Sequence, residues 1–280
     1  LVENTSLSDE IIAEHGLSLY IETGDRKILF DMGQSDAFLK NAEKLDLDLS
    51  AVDFAAARDF TPRTASSIFE PVCAPVAVLS HGHYDHGGGI KAFLSVNKKA
   101  PVYLTETAFG DYYNASDKYI GLDKELEGNE RLIFLDGVEE LCANCTLYTC
   151  NEKERVYGTE PYGLSVLTDG ELKPDGFLHE QYLLVEENGK RILISGCSHK
   201  GVLNIAEWFR PNVLVGGFHF MKLDPEGEGK ADLKRYAEIL MNYGTQYYTC
   251  HCTGEKQFAY IKKLMSEKVE YIRSGERISL

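Results

Sequence analysis

Apolar and polar positions alternate through the β-rich residues 17–22 (LSLYIE), and residues 27–31 (KILFD) return as a second strand, with Thr23-Gly24-Asp25-Arg26 between them. A two-residue period puts one face of a strand on a core, and the polar turn joins the two runs into a hairpin. A second hairpin reads from 181–187 and 190–195 around Asn188-Gly189. Short apolar runs at 76–80, 101–104, 131–135, 146–150, 213–215, 247–250 and 269–272 suit further strands, several of them buried on both faces. Spacing of three and four predicts helices at 35–45, 90–96, 107–114, 202–209, 231–243 and 255–265. Ser35 is the expected N-cap of the first, and Gly244 the left-handed residue that closes the fifth. Each half of the chain begins with hairpin strands and continues with mixed strands and helices. Two facing sheets with helices outside satisfy that order. The segments 115–130 and 223–230 are loosely patterned but too short for interdomain linkers, so residues 1–280 are expected to form one domain.

Composition narrows the class. Hydrophobic residues make up 44% and charged residues 26%, values that exclude a disordered chain. The net charge of −15 argues against a broad nucleic-acid-binding face. There is no run of about 18 apolar residues, so no membrane span is expected. Residues 1–8 lack the basic, apolar and small-residue regions of a signal peptide. Seven cysteines at irregular spacing do not read as a disulfide framework. Together these features point to a cytoplasmic, reducing setting, in which thiols are free for metal chemistry.

The chemistry concentrates after the run 76–80. There the chain reads Ser80-His81-Gly82-His83-Tyr84-Asp85-His86-Gly87-Gly88-Gly89. Imidazole and carboxylate are the usual ligands of Zn²⁺, Mn²⁺ or Fe²⁺. In a tight loop the side chains at i and i+2 converge on one ion, and Asp85-His86 can turn toward a second. The glycines are expected to supply unusual backbone angles.

This H-x-H-x-D-H pattern resembles the metallo-β-lactamase superfamily. Asp31-Met32-Gly33 is similar to that superfamily's D-x-G turn. The segments EHGLSLYIE (14–22), ISGCSHKG (194–201), GGFHF (216–220) and CHCTG (250–254) resemble one branch in particular. That branch holds the dihydropterin-methyl ribofuranosylaminobenzene phosphate synthases and related metal-dependent hydrolases. The resemblance implies an α/β (α+β) fold, the four-layer αββα sandwich, with one or two divalent metals, zinc first and manganese or iron next. It implies His81, His83, Asp85 and His86 as ligands, with Asp85 also catalytic. His199 and His251 each follow a strand, where ends from one sheet edge converge, and are expected to join them. His179 or Glu180 stands where many members place a further ligand. Cys197 stands where a bridging aspartate is common, as a ligand or as a buried thiol. Asp31 is expected to support the metals, and His219 to face substrate. His15 is read as structural. Cys142, Cys145 and Cys150 lack a nearby fourth ligand for a zinc knuckle. Cys250 and Cys252 are expected to face away from His251.

One stretch departs from the family pattern. Residues 56–75 intervene between AVDFA and the strand 76–80, and carry Arg58 and Arg63. They enter at the strand end opposite the histidines, which leaves either a surface excursion or a self-association element giving a homo-oligomer. The expected activity is a metal-dependent hydrolase acting through a metal-bound hydroxide on a small, anionic or phosphorylated molecule. A methanopterin-pathway-type synthase, a metal-dependent nuclease and a non-catalytic metal-binding protein are the alternatives. Phe109, Tyr112, Tyr113, Tyr157 and Tyr162 are loop aromatics that could line a pocket or pack in the core.

Overall fold

A computed structural model describes residues 1–24, 26–50 and 76–280. The expected strand 51–55 and the inserted segment 56–75 lie outside the described residues.

The first hairpin forms as read. Leu19–Glu22 pairs antiparallel with Lys27–Phe30, and Lys27–Phe30 then runs parallel to Val76–Val78, which leads on to Val102–Thr105 and Leu132–Leu135. A second sheet of seven strands is ordered Val269–Tyr271, Gln246–Thr249, Val213–Val215, Lys190–Ile194, Tyr182–Glu187, Cys145–Tyr148 and Val138–Cys142. Its first four strands are mutually parallel.

Alternation along each strand sorts residues between two environments. Ile28 and Phe30, with Val76 and Val78, meet Leu183, Val185, Leu147, Val213 and Val215 from the other sheet. Leu29, Ala77 and Leu79 point the other way, onto the helices Ala37–Lys44 and Ile90–Val96. On the second sheet Leu184, Leu193, Leu214 and Tyr247 face the helices Val202–Phe209, Gly229–Leu240 and Glu255–Met265. The layers are therefore helix, sheet, sheet, helix, the expected αββα sandwich. Among the described residues no helix is long and apolar enough to cross a membrane.

Three local readings change. Residues 107–114 do not form a helix; they make a turn and the short strand Tyr112–Tyr113, which pairs with Ser165–Thr168. Tyr112 donates its hydroxyl to the Thr107 carbonyl, closing that turn from within. Ser165–Thr168 and Glu171–Pro174 form a small sheet that carries no apolar alternation, since every residue of Glu171–Pro174 is exposed. The helix Gly229–Leu240 stops three residues early, and Gly244 does not take the left-handed conformation expected of it.

Leu183 lies at the centre of the interior between the sheets and is fully buried. Leu183→Ala should cost about 2–5 kcal/mol of unfolding free energy, read from the denaturant midpoint. Val138→Ala, at a position 60% exposed, should change it by less than about 0.5 kcal/mol. Equal effects would contradict this placement of the core.

Candidate metal centre

Five parallel strands end along one edge of the sandwich, and each end carries a polar side chain inward. Asp31 follows Lys27–Phe30, and His81 to His86 follow Val76–Val78. Cys197 to His199 follow Lys190–Ile194, His219 follows Val213–Val215, and His251 follows Gln246–Thr249. The chain turns sharply at these ends: Asp31, Ser198, His219 and His251 have φ of 60°, 57°, 56° and 49°. Left-handed backbone at non-glycine residues costs about 1–2 kcal/mol each and gathers where function holds it. The glycines of the histidine loop serve differently from expectation. Gly88 and Gly89 have ordinary φ of −61° and −78°. Gly82 is glycine because a Cβ would stand 2.1 Å from the Ala108 carbonyl oxygen.

Hydrogen bonds on the outer side of each ring set its tautomer. Asp31 accepts from the Ser80 amide and hydroxyl, both at 2.7 Å, and its Oδ2 also accepts from His86 Nδ1 at 2.7 Å. With its proton on Asp31, the Ser80 hydroxyl accepts from His81 Nδ1 at 2.8 Å. His251 Nδ1 donates to Asn4 Oδ1 at 2.8 Å. His81, His86 and His251 therefore all turn a bare Nε2 lone pair inward. Tethering the outer nitrogen of a ligating histidine to a carboxylate or carbonyl is the usual support of a metal site.

The inward nitrogens lie close together. His86 Nε2 is 3.2 Å from His251 Nε2, and His81 Nε2 is 3.3 Å from His199 Nε2. No outer hydrogen bond fixes His199, whose Nδ1 is buried without a partner, so its Nε2 can donate to the His81 lone pair; the His86–His251 contact needs a proton or a metal ion between its nitrogens. Tetrahedral coordination at about 2.0–2.1 Å sets two nitrogens about 3.3 Å apart, so the spacing fits a zinc-type ion. His83 Nε2 is buried with no hydrogen-bond partner. Several groups of ligand atoms lie mutually within 4.8 Å, among them His81 with His83 and His199, His81 with His86 and Cys197, Cys197 with His199 and His219, and His15 with Asp85 and His251. Cys197 Sγ reaches 3.2 Å from His86 Nε2.

Charge states suit cation binding. Burial first, then the rings of His86, His83 and His199, hold His81 well below the ordinary imidazole value. Burial and His179 bring His83 down to about 3. Burial and His219 lower His199 in the same way. Burial opposes ionisation of Asp85, but His86, His15 and His251 outweigh it and keep the carboxyl well below the usual carboxylate range. His81, His83 and His199 are thus neutral rings near the ionised Asp85 carboxylate.

Several sequence readings change here. His179 accepts from the Gly82 amide at 2.9 Å through Nδ1 and donates to Asp175 at 3.0 Å through Nε2. Both nitrogens are used, so His179 clamps the histidine loop and has no lone pair for a metal. Glu180 is likewise spent: it accepts from the amides of His199 at 2.6 Å and Lys200 at 2.9 Å, and from the Tyr182 hydroxyl at 2.6 Å. It positions the His199 loop. His15, read as structural, lies 3.3 Å from Asp85 Oδ2. Cys252 does not face away from His251; its thiol joins Cys197 and His251 within 4.8 Å. The strand ends at Thr249, so the period-two argument stops there, and the chain enters a 3₁₀ turn, His251–Thr253. Cys250 does point into the space between the sheets.

The profile of the metallo-beta-lactamase superfamily matches residues 12–200, more than half of the chain. The chain belongs to that superfamily. It is 29% identical to an uncharacterised protein of Methanocaldococcus jannaschii over 275 residues, covering 94% of this chain and 93% of the other. It is 23% identical over 291 residues to the 7,8-dihydropterin-6-methyl-4-(beta-D-ribofuranosyl)-aminobenzene-5'-phosphate synthase of the same organism, covering 95% and 90%. Among solved structures, one described as a metal-dependent hydrolase of the beta-lactamase superfamily superposes with a TM-score of 0.75. The two are 27% identical, with 100% of this chain and 96% of the other covered. Zinc-bound PqqB from Methylobacterium extorquens shares the fold, with a TM-score of 0.54 at 12% identity over 97% and 90% of the two chains.

Beside this metallo-beta-lactamase centre opens a shallow cleft bordered by His199, His219, Tyr157, Tyr162, Phe220 and Tyr236. His219 stands 4.4 Å from the His199 ring and 5.7 Å from Tyr162, between centre and cleft. Tyr157 and Tyr162 therefore do line a pocket. Tyr112 instead packs on His179 at 4.0 Å, Phe109 on Phe134 at 6.1 Å and Tyr113 on Tyr119 at 5.7 Å. Cys142 and Cys145 face each other across a hairpin, while Cys150 lies in the cluster under the outer helices.

Asp31→Asn should leave the fold intact and weaken zinc binding about 10–100-fold, measured by competition with a chromogenic chelator. Unchanged affinity would remove Asp31 from the support of His86. In the chelator-stripped protein His81, His83 and His199 are lowered from 6.5, His83 to about 3. Between those limits the unfolded chain binds more protons than the folded one. Stability of the stripped protein is therefore full above about pH 6.5 and is lost as pH falls toward 3. The denaturant midpoint should be lower at pH 5 than at pH 7.5, and a flat profile would contradict the buried neutral rings.

Proposed function

We propose that this chain is a metal-dependent enzyme of hydrolytic type acting on a small, ring-containing molecule held between the metal centre and the tyrosine-lined cleft. The observation that carries this reading is the convergence of four buried rings, His86 with His251 and His81 with His199, whose Nε2 atoms stand 3.2–3.3 Å apart, the spacing of two donors on one tetrahedral ion. His81, His83 and His199 would hold one ion, and Asp85, His86, His251 and Cys197 a second. A bound divalent ion supplies Lewis acidity and lowers the pKa of water toward about 7.

The chain's own residues supply the rest. The Asp85 carboxylate lies between His251 and His15, each 3.3 Å from Oδ2. The His15 side chain is 44% exposed, so a proton collected at Asp85 has a route to solvent through its ring. The Asp85 hydrogen bond raises the His15 value, more than burial lowers it, which matches a proton-holding role. Tyr157, Tyr162 and Tyr236 offer faces and hydroxyls to a ring. Among the described residues that border the cleft, Glu160 is the one carboxylate and there is no lysine or arginine. An anionic group on the substrate would therefore be met at the ions and not by the cleft walls.

Group transfer is the second reading, favoured by likeness along 95% of this chain to the aminobenzene-phosphate synthase named above. The product for which that relative is named carries a pterin ring and a phosphate, which suits aromatic walls next to a cationic centre.

The test is metal analysis of the purified protein followed by a turnover screen on phosphodiesters, phosphomonoesters, lactones and β-lactams. The screen is run before and after chelation and after restoring Zn²⁺, Mn²⁺ or Fe²⁺. Metal-dependent turnover that His83→Ala abolishes without loss of fold is expected. Protein that binds no metal, with no rate responding to any of the ions, would overturn the reading.

A further inference from the structure

Two buried thiols meet at the centre, and the H-x-H-x-D-H pattern accounts for neither. Cys197 and Cys252 are 3% and 2% exposed. Cys197 Sγ is 3.2 Å from His86 Nε2, and His86 Nε2 is 3.2 Å from His251 Nε2. The ligand atoms of Cys197, His251 and Cys252 lie within 4.8 Å of one another. Cys252 also donates to the Cys197 carbonyl at 3.5 Å, which keeps its side chain on the loop that carries Cys197. The neighbouring backbone makes room for it: a Cβ on Gly217 would stand 2.3 Å from Cys252 Sγ. The Gly217 amide donates to the Gly196 carbonyl at 2.8 Å, tying that space to the turn before Cys197.

We propose that Cys252 joins Cys197 on the ion assigned to His86 and His251, giving one half of the centre a two-thiolate, two-imidazole donor set with the Asp85 carboxylate as its fifth ligand. This rests on the metal-enzyme reading above and extends it. Four such donors are the set that selects zinc. The other half, His81, His83 and His199, is nitrogen-only and takes a wider range of divalent ions. The two halves therefore differ in metal preference, and the sulfur-bearing half excludes Mn²⁺ and Mg²⁺. On binding, each thiol loses its proton to solvent and forms a sulfur–metal bond, with no change of oxidation state.

The experiment loads the full chain with Co²⁺ under reducing conditions and records the sulfur-to-cobalt charge-transfer absorption. The wild type should show the intensity of two thiolates per chain, Cys252→Ser and Cys197→Ser about half each, and the double variant none. Zinc competition should agree, with Cys252→Ser losing about 10–100-fold of its zinc affinity at one of two sites. X-ray absorption of the zinc-loaded wild type guards against a variant that fails to fold. It should find two sulfur neighbours per chain at about 2.3 Å. Full charge-transfer intensity in Cys252→Ser, one sulfur neighbour per chain, or a Cys197–Cys252 disulfide in the reduced, metal-loaded protein would overturn the proposal. Metal uptake with no sulfur neighbour overturns it while leaving the enzyme reading intact. No uptake at all overturns both.

Discussion

The Nε2 atoms of His86 and His251 stand 3.2 Å apart, with their protons held on the far side of each ring by Asp31 and Asn4. Two lone pairs in that arrangement repel, and burial removes the water that would separate them. The rest of the site exists to hold this contact. Ser80 fixes His81 through the same aspartate, His179 fixes the Gly82 amide, and Glu180 fixes the His199 loop by accepting from two successive amides. Lys200, fully buried, donates to the Thr149 and Glu180 carbonyls and to Asn151, so the chain beyond His199 is pinned as well. Such a shell presets the donors and lowers the entropy lost when an ion enters.

That presetting costs stability. Left-handed backbone at four strand ends and buried imidazoles with unpartnered nitrogens at His83 and His199 are each unfavourable in the metal-free chain. The two sheets offset them. Their interior is continuous from Ile28 to Val215, and both outer faces are closed by helices. Because the strained residues sit at the ends of buried parallel strands, the packing of the sandwich over-determines their conformation. A cation returns free energy at the same place, and metal binding then counts as folding free energy.

The fold was legible because the strands obey simple periodicities. Alternation at 17–31 and 181–195 and apolar runs at 76–80 and 213–215 needed no tertiary information. Glu171–Pro174 lacks that signal because all of it is exposed. The contiguous H-x-H-x-D-H motif was equally open to reading, since its spacing is local. His199 and His251 followed from the rule that parallel strand ends converge on one edge. What stayed hidden depends on segments far apart in sequence. Asn4 and Glu3 reach His251 across more than 240 residues, Asn4 through the ring and Glu3 through the amide. His15 was unreadable for the same reason, because Gly16 packs on the Asp85 carbonyl and carries its neighbour to the site. His179 and Glu180 had suitable side chains, but only the hydrogen bonds show that both His179 nitrogens are used and that Glu180 is held on the His199 loop by three donors. Cys252 was misplaced because alternation was extended past the end of its strand.

The two halves of the centre also differ in what surrounds them. His199, of the nitrogen-only half, borders the cleft, and His219 and Tyr162 continue from it into the open space. The half that contains His86, His251 and the thiols is closed by backbone: Gly217 and Gly196 on one side, and the N-terminal strand of residues through Glu3 and Asn4 on the other. A substrate entering from the cleft meets the nitrogen-only half first. Asp85 lies at the opposite side, next to the exposed ring of His15. On the proposed reading, substrate and proton would have separate approaches to the same small volume. With a divalent ion bound, a chain of net charge −15 would still attract an anion there, because the local field, not the overall charge, governs the last few ångströms of approach.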